Sequence, residues 1–168
     1  MAEPSRTIAI LVANPALSSI LSMVMASVPS YRVRPFESEL ALATYMRLAP
    51  VDIVVTDFDN TSDRADRVAR SLRDDDSITC RDFQVIALAS AVSPETKQLC
   101  IAAGIDEVIV KPMSPKYLVE RVQSRLARRV ARPLPPQALR TGTLRRPDFS
   151  QYSNVIPLWT RERPLPQH

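Results

Sequence analysis

A repeated alternation of short apolar runs with helical runs is the feature that most restricts the fold of this chain. The helical runs carry apolar residues at three- and four-residue spacing, and most of the intervening runs are rich in Val and Ile. The predicted strands cover residues 7–12, 31–36, 51–56, 83–88 and 107–110. Parallel strands need crossover connections, which helices supply, so the alternation predicts an α/β fold with a five-stranded parallel sheet and helices on both faces.

The stretch between Arg6 and Arg32 carries no charge and allows two interpretations. Asn14-Pro15 divides it into a short strand and a helix with an apolar face. That face consists of Leu17, Ile20, Leu21, Val24 and Met25. The alternative is a cleavable secretory signal, based on a weak small-residue pattern around Met25-Ala26-Ser27. We favour the strand and helix, and expect a cytoplasmic protein without a membrane span.

Four further helices are predicted after this first one. They cover residues 37–48, 63–73, 94–103 and 115–131. In the first of these, Leu40, Ala43 and Met46 are predicted to face the sheet because they share one side of the helix.

Charge and proline content divide the chain into two parts. Residues 1–120 contain 12 basic and 16 acidic side chains, a net charge of −4, whereas residues 121–168 contain 10 and 2, a net charge of +8. Seven of the 15 prolines lie at or beyond Pro133. We therefore predict a globular domain over residues 1–131 and a basic, Pro-rich tail over residues 132–168 that is disordered on its own.

Several kinds of chemistry are disfavoured by the residue content. The single histidine is the last residue, His168, which argues against Ser/His/Asp triads and His-based zinc sites. Cys80 and Cys100 lack the spacing of a metal-binding or disulfide framework. Gly, His and acidic clusters are scarce, so we do not expect an enzyme.

An acid and a lysine follow two of the predicted strands. Asp57 ends the third strand and Lys111-Pro112 follows the fifth. Ligands bind at the carboxyl ends of the strands in open parallel sheets, and these two residues would meet at that edge. The pair suits phosphoryl or ion binding, and the alternative is an ordinary salt bridge.

Residues 7–130 resemble the receiver domain of bacterial response regulators. Residues 51–57 match the phosphoacceptor strand, and AAGIDEVIVKP at 102–112 matches the closing segment of the domain. The resemblance implies a flavodoxin-like fold with Asp57 as the phosphoacceptor and Lys111 as the phosphate-sensing lysine. It also implies a histidine kinase or a phosphotransfer protein as partner.

The sequence departs from the receiver pattern at several site positions. The acidic pair that holds Mg²⁺ in the family aligns with Val12 and Ala13, leaving Asp57 and the backbone carbonyl of Asp59 as metal ligands. We therefore expect weak or absent Mg²⁺ binding. Phosphorylation of Asp57 is expected to be impaired, and Asp59 is an alternative acceptor.

The family's switch hydroxyl is also missing. Its position aligns with Ala89. Ser90 is adjacent, but successive strand residues point to opposite faces, so Ser90 is not expected to substitute. The chain is thus interpreted as a degenerate receiver, or pseudo-receiver.

Arginines recur at three- and four-residue spacing toward the C-terminus. The candidate ligand-binding residues are Arg125, Arg128, Arg129 and Arg132. Guanidinium groups bind phosphates in a bidentate manner, so this cluster could hold a cyclic dinucleotide such as cyclic di-GMP. The alternative is a solvated helix end. No helix-turn-helix pattern is present, so a DNA-binding domain is not expected.

Apolar and aromatic residues concentrate at positions 148–159 in the otherwise polar tail. The candidate partner-binding residues are Phe149, Tyr152, Ile156, Leu158 and Trp159. This segment either binds another protein or folds back onto its own domain.

The sequence thus predicts a single-domain signalling protein of a two-component phosphorelay that acts through protein–protein interaction. A cyclic di-GMP effector that binds through the arginines is the alternative.

Overall fold

The computed structural model describes residues 5–130 and 155–157 of the chain. The strands are β1 (Arg6–Leu11), β2 (Tyr31–Pro35), β3 (Ile53–Asp57), β4 (Gln84–Ala89), β5 (Glu107–Val110) and β6 (Val155–Pro157). The helices are α1 (Pro15–Ala26), α2 (Glu39–Leu48), α3 (Ala65–Asp74), α4 (Pro94–Ala103) and α5 (Pro115–Val130). The predicted strands and helices of the domain are confirmed, with ends that differ by at most two residues.

The strands form one sheet in the order β2-β1-β3-β4-β5-β6. β1 to β5 are parallel, which confirms the predicted five-stranded parallel sheet. β6 was not predicted as a strand, and it pairs with β5 in the antiparallel direction. It comes from within the predicted 148–159 segment, so the backbone of residues 155–157 does fold back onto the domain.

Each face of the sheet is covered by helices. α1 and α5 pack on one face, where their buried residues, such as Leu21 and Leu118, join Ile8 and Ile86 in one core cluster. α2, α3 and α4 pack on the other face. Every residue of β3 is buried, which agrees with the continuous apolar run that predicted it. No helix between residues 5 and 130 is both long and apolar enough to cross a bilayer.

The first helices begin at side-chain caps. Asn14 Oδ1 accepts hydrogen bonds from the backbone N–H groups of Ala16 and Leu17, at 3.0 and 3.2 Å. Pro15 follows in the first turn, where its missing N–H costs nothing. In α2 the Ser38 hydroxyl accepts from Ala41 N at 3.2 Å. These caps explain why the break at Asn14-Pro15 starts a helix.

The predicted inward face of α2 is wrong at one position. Leu40 is 72% exposed, whereas Leu42, Ala43 and Met46 are buried. At 3.6 residues per turn Leu40 lies about 100° or more from the centre of the buried arc. Leu40 therefore faces solvent, and Leu42 packs on the sheet where Leu40 was predicted to pack.

A buried ion cluster joins β5 to α5. Glu107 is fully buried, and its two carboxylate oxygens accept hydrogen bonds from Arg121 Nε and Arg125 Nε. Arg125 Nη2 also donates to the carbonyl oxygen of Asp106 at 2.7 Å. A buried charge is tolerated only when it is paired and hydrogen-bonded, so the two arginines are a requirement of burying Glu107.

Arg73 of α3 fastens the turn between α4 and β5. Its guanidinium donates to the carbonyl oxygens of Phe83 at 2.8 Å and Gly104 at 3.0 Å, and it lies 4.1 Å from the centre of the Phe83 ring. Gly104 ends α4 with a positive φ of 77°, a conformation that glycine adopts without strain. The turn therefore depends on the positive φ of Gly104 and on the hydrogen bonds from Arg73.

The substitution Gly104→Ala tests this turn. A Cβ atom at position 104 would lie 3.2 Å from Arg73 Nε, and the left-handed backbone would be strained. We expect a loss of about 1–2 kcal/mol in the free energy of unfolding, measured by urea denaturation. Gly104→Asn should lose less, because Asn adopts positive φ more readily. Wild-type stability in the alanine variant would contradict this account.

The substitution Arg121→Ala tests the ion cluster. Removing one of the two cations leaves Glu107 with incomplete compensation, and we expect a loss of about 3 kcal/mol in the free energy of unfolding. Lys116→Ala is the matched control, because Lys116 is an exposed cation on the same helix. The control should change stability by no more than about 0.5 kcal/mol. Equal losses in both variants would show that burial of Glu107 does not require Arg121.

Candidate functional site

The candidate site lies at the carboxyl edge of the sheet, in a cleft of about 470 Å³. Asp57 is the last residue of β3, Ser90 follows β4, and Lys111 follows β5. Strand order places β4 between β3 and β5, so the three residues come from neighbouring strand ends. The cleft is completed by Asn14, Leu17, Pro112 and Met113.

Lys111 holds two carboxylates together. Its Nζ lies 3.1 Å from each carboxylate oxygen of Asp57 and 2.9 Å from Oδ2 of Asp59. The Asp57 side chain is only 7% exposed, against 39% for Asp59. Asp57 and Lys111 meet at the carboxyl edge of the sheet, as predicted. The two residues form a salt bridge, which is the geometry of the alternative interpretation.

The carboxylate of Asp59 belongs to the site as well. Its Oδ2 accepts hydrogen bonds from Ser90 N at 2.9 Å and Ser90 Oγ at 2.6 Å. Its backbone N–H donates to Asp57 Oδ1 at 2.9 Å. Partial burial alone would raise the pKa of Asp59, but the hydrogen bonds from Ser90 and Lys111 lower it below the ordinary value. Asp59 is therefore held as an anion.

Lys111 is stabilised in its charged form by the same contacts. Burial alone would lower its pKa, but the hydrogen bonds to Asp59 and Asp57 raise it above the ordinary value. The ammonium is therefore a permanent cation of the cleft at physiological pH. A phosphoryl oxygen that enters the cleft would meet this cation.

Ser90 reaches the site although Ala89 does not. Ala89 is fully buried at the end of β4. Ser90 lies beyond the last strand residue, so the alternation of side chains along a strand does not govern its direction. Ser90 contacts Asp59 and lines the cleft, so the expectation that it points to the other face is wrong. The degenerate switch at Ala89 and Ser90 stays a prediction.

The residues of the cleft fit Mg²⁺ poorly. This ion needs near-octahedral oxygen ligands, usually anchored by carboxylates. Val12 is buried in the apolar core and Ala13 has no side-chain oxygen, while Asp57 and Asp59 are already paired with Lys111. Within the described part of the chain, no three His, Cys, Asp or Glu side chains are grouped to hold a metal ion. Weak Mg²⁺ binding stays a prediction.

The predicted arginine site is only partly described. Arg125 is engaged by Glu107, so its guanidinium does not extend into solvent as a ligand site requires. Arg128 is exposed on α5. The side chain of Arg129 and all of Arg132 lie outside the described residues. Of the four candidate arginines, Arg128, Arg129 and Arg132 would therefore have to bind a cyclic dinucleotide.

The aromatic segment is described only at its strand. Residues 155–157, which include Ile156, are placed by their backbone pairing with β5. The other predicted partner-binding residues lie outside the described residues. They are Phe149, Tyr152, Leu158 and Trp159.

Two site contacts were missed by sequence reasoning. The carboxylate of Asp59 was considered only as an alternative acceptor and for its backbone carbonyl, although it pairs with Lys111. The pairing of Glu107 with Arg121 and Arg125 was also missed. An acidic residue inside an apolar strand, followed by two arginines four residues apart on a helix, was the available signal.

Comparisons with known proteins identify the fold. No protein-family model and no curated protein matches the chain. Among solved structures, a CheY-like response regulator receiver domain protein from Methanospirillum hungatei has a TM-score of 0.67 at 15% identity, covering 76% of this chain and 98% of that one.

Two further structures agree. The chemotaxis response regulator CheY4 of Vibrio cholerae has a TM-score of 0.64 at 17% identity, covering 72% of this chain and 98% of that one. An orphan response regulator of H. pylori has a TM-score of 0.62 at 21% identity, covering 74% of this chain and 99% of that one. The chain thus has the fold of the response regulator receiver domains.

Proposed function

We propose that this chain is a receiver-type signalling module that acts by binding a partner protein, with Asp57 as an inefficient phosphoacceptor. The observation that supports it is the contact of Lys111 with Asp57 and Asp59 in a cleft at the carboxyl edge of the sheet. A carboxylate nucleophile and a cation for the transferred group are the elements that phosphoryl transfer to an aspartate requires. No catalytic turnover is proposed.

The proposed transfer uses a histidine kinase or a phosphotransfer protein as donor. An Asp57 oxygen attacks phosphorus, the bond from phosphorus to the donor nitrogen breaks, and the electron pair leaves with the donor imidazole. Lys111 then turns from the Asp57 oxygens toward a phosphoryl oxygen. That change in the loop after β5 would alter the surface offered to the partner, as a population shift.

Two features support a slow transfer. Neither Val12 nor Ala13 supplies a carboxylate for a divalent ion that would neutralise the phosphoryl charge. Both oxygens of Asp57 accept hydrogen bonds from Lys111, so the nucleophile must first lose part of its stabilisation. The partner surface can then be presented without phosphorylation, as a pseudo-receiver would do.

Phosphorylation is tested with an acyl phosphate and Mg²⁺, and the phosphoprotein is separated on a phosphate-binding gel. We expect slow, partial labelling of the wild type and none of Asp57→Asn. Asp59→Asn should still be labelled, because Asp59 is not the proposed acceptor. Rapid and complete labelling of the wild type would contradict impairment, and labelling of Asp57→Asn would contradict the choice of acceptor.

Restoring one acidic residue sharpens the same experiment. Ala13 is exposed, so Ala13→Asp adds a carboxylate next to the cleft without disturbing the core. We expect Mg²⁺-dependent labelling to rise by about tenfold, on the order of one charge interaction of 1.4 kcal/mol. The double variant Ala13→Asp/Asp57→Asn is the control and should not be labelled. If labelling of Ala13→Asp does not exceed that of the wild type, the missing acidic residue is not the cause of slow phosphorylation.

Crowding of cations on α5 favours the second candidate function. Partial loss of hydration, followed by repulsion from the Arg125 and Arg121 guanidiniums, lowers the pKa of Arg128. A bound phosphate would relieve this repulsion. If the chain is a cyclic di-GMP effector, calorimetry on the full chain should show binding that Arg128→Ala weakens. No heat at high micromolar ligand would exclude this function.

A further inference from the structure

The two edges of the parallel sheet are built differently. β2 forms one edge and carries Arg32 and Arg34, both exposed, and ends at Pro35. Charged side chains and proline on an edge strand hinder the addition of another strand. β5 would form the other edge, and its sequence is Glu-Val-Ile-Val. Its acid is buried and paired with α5, so this edge has no such protection.

The unprotected edge is occupied by the chain's own C-terminal segment. Ile109 pairs with Val155, Val108 with Ile156, and Glu107 with Pro157. Val and Ile favour extended backbone, and Pro157 has no N–H to continue a ladder. The contact is therefore a short strand with a defined end.

The intervening chain is long enough to close within one molecule. α5 has 16 residues, which corresponds to about 24 Å at 1.5 Å per residue. A connection must span about that length, since α5 runs back along the sheet and β6 begins beside Ile109. Residues 131–154 number 24 and reach up to ~80 Å when extended. A connection of this length allows residues 155–157 to reach β5 of their own molecule, so that binding is intramolecular.

We propose that the β5 edge is a strand-addition site for an extended peptide, and that residues 155–157 of the same molecule are its resident occupant. Within the part of the tail that the structure describes, three residues pair with β5, and one of them cannot donate a hydrogen bond. So short a ladder can be displaced by a competing peptide. This proposal does not depend on phosphorylation of Asp57.

Hydrogen exchange of the full chain tests the occupant. Pro at positions 155 and 156 removes two N–H groups and fixes φ, so Val155→Pro/Ile156→Pro should release the strand. We expect exchange of the β5 amides that point toward β6 to accelerate at least tenfold, while the β5 amides that point toward β4 and the β3 amides keep their wild-type rates. Gln151→Pro, placed in the same tail outside β6, is the control and should leave exchange unchanged. Equal exchange in all three proteins would overturn the proposal.

A peptide tests whether the edge is a binding site. A labelled peptide with the sequence of residues 152–159 should bind the Val155→Pro/Ile156→Pro variant and restore protection of β5, and it should bind the wild type at least tenfold more weakly. No binding to the variant would overturn the strand-addition site. Wild-type protection that is lost on dilution, together with dimers in sedimentation, would overturn the intramolecular occupant in favour of a second copy.

Discussion

The burial of Glu107 is the constraint on which the last third of the domain depends. A carboxylate without solvent must be matched by charge and by hydrogen bonds, and α5 is the element that supplies both. The register of α5 against the sheet is therefore fixed by Arg121 and Arg125. Because Lys111 lies between β5 and α5 in the chain, the cation of the cleft is held between two elements that this cluster joins.

The cleft contains one ammonium for two carboxylates. Lys111 is shared by Asp57 and Asp59, and Ser90 supplies two hydrogen bonds that hold Asp59 in position. Asp59 therefore competes with Asp57 for the cation. The balance between these contacts, rather than the acceptor alone, would set how readily Lys111 turns to another anion.

Periodicity predicted the domain because the local signals agree with the global fold. The apolar run that became β3 is buried throughout, and the ends of β3 and β5 put Asp57 and Lys111 at one edge by topology alone. Leu40 was misplaced because three residues on one helix side do not define the centre of the buried arc.

Contacts between distant residues could not be predicted in the same way. Glu107 was predicted only as part of a strand and Arg125 only as a ligand residue or a solvated cation. An acid in an apolar strand indicates that a cation must pair with it, but it does not indicate which cation, and Arg125 lies 18 positions further along the chain. Ser90 was misjudged because strand alternation was applied one residue beyond the end of the strand. The pairing of residues 155–157 with β5 could be predicted only after the unprotected edge of the sheet was known.

The unequal edges of the sheet also limit how copies of this domain can associate. A sheet with two open edges can add neighbours without end and grow into a fibre. Here Arg32 and Arg34 hinder strand addition at the β2 edge. A molecule whose tail has left β5 has a single unprotected edge, so edge-to-edge association favours a pair over a growing fibre.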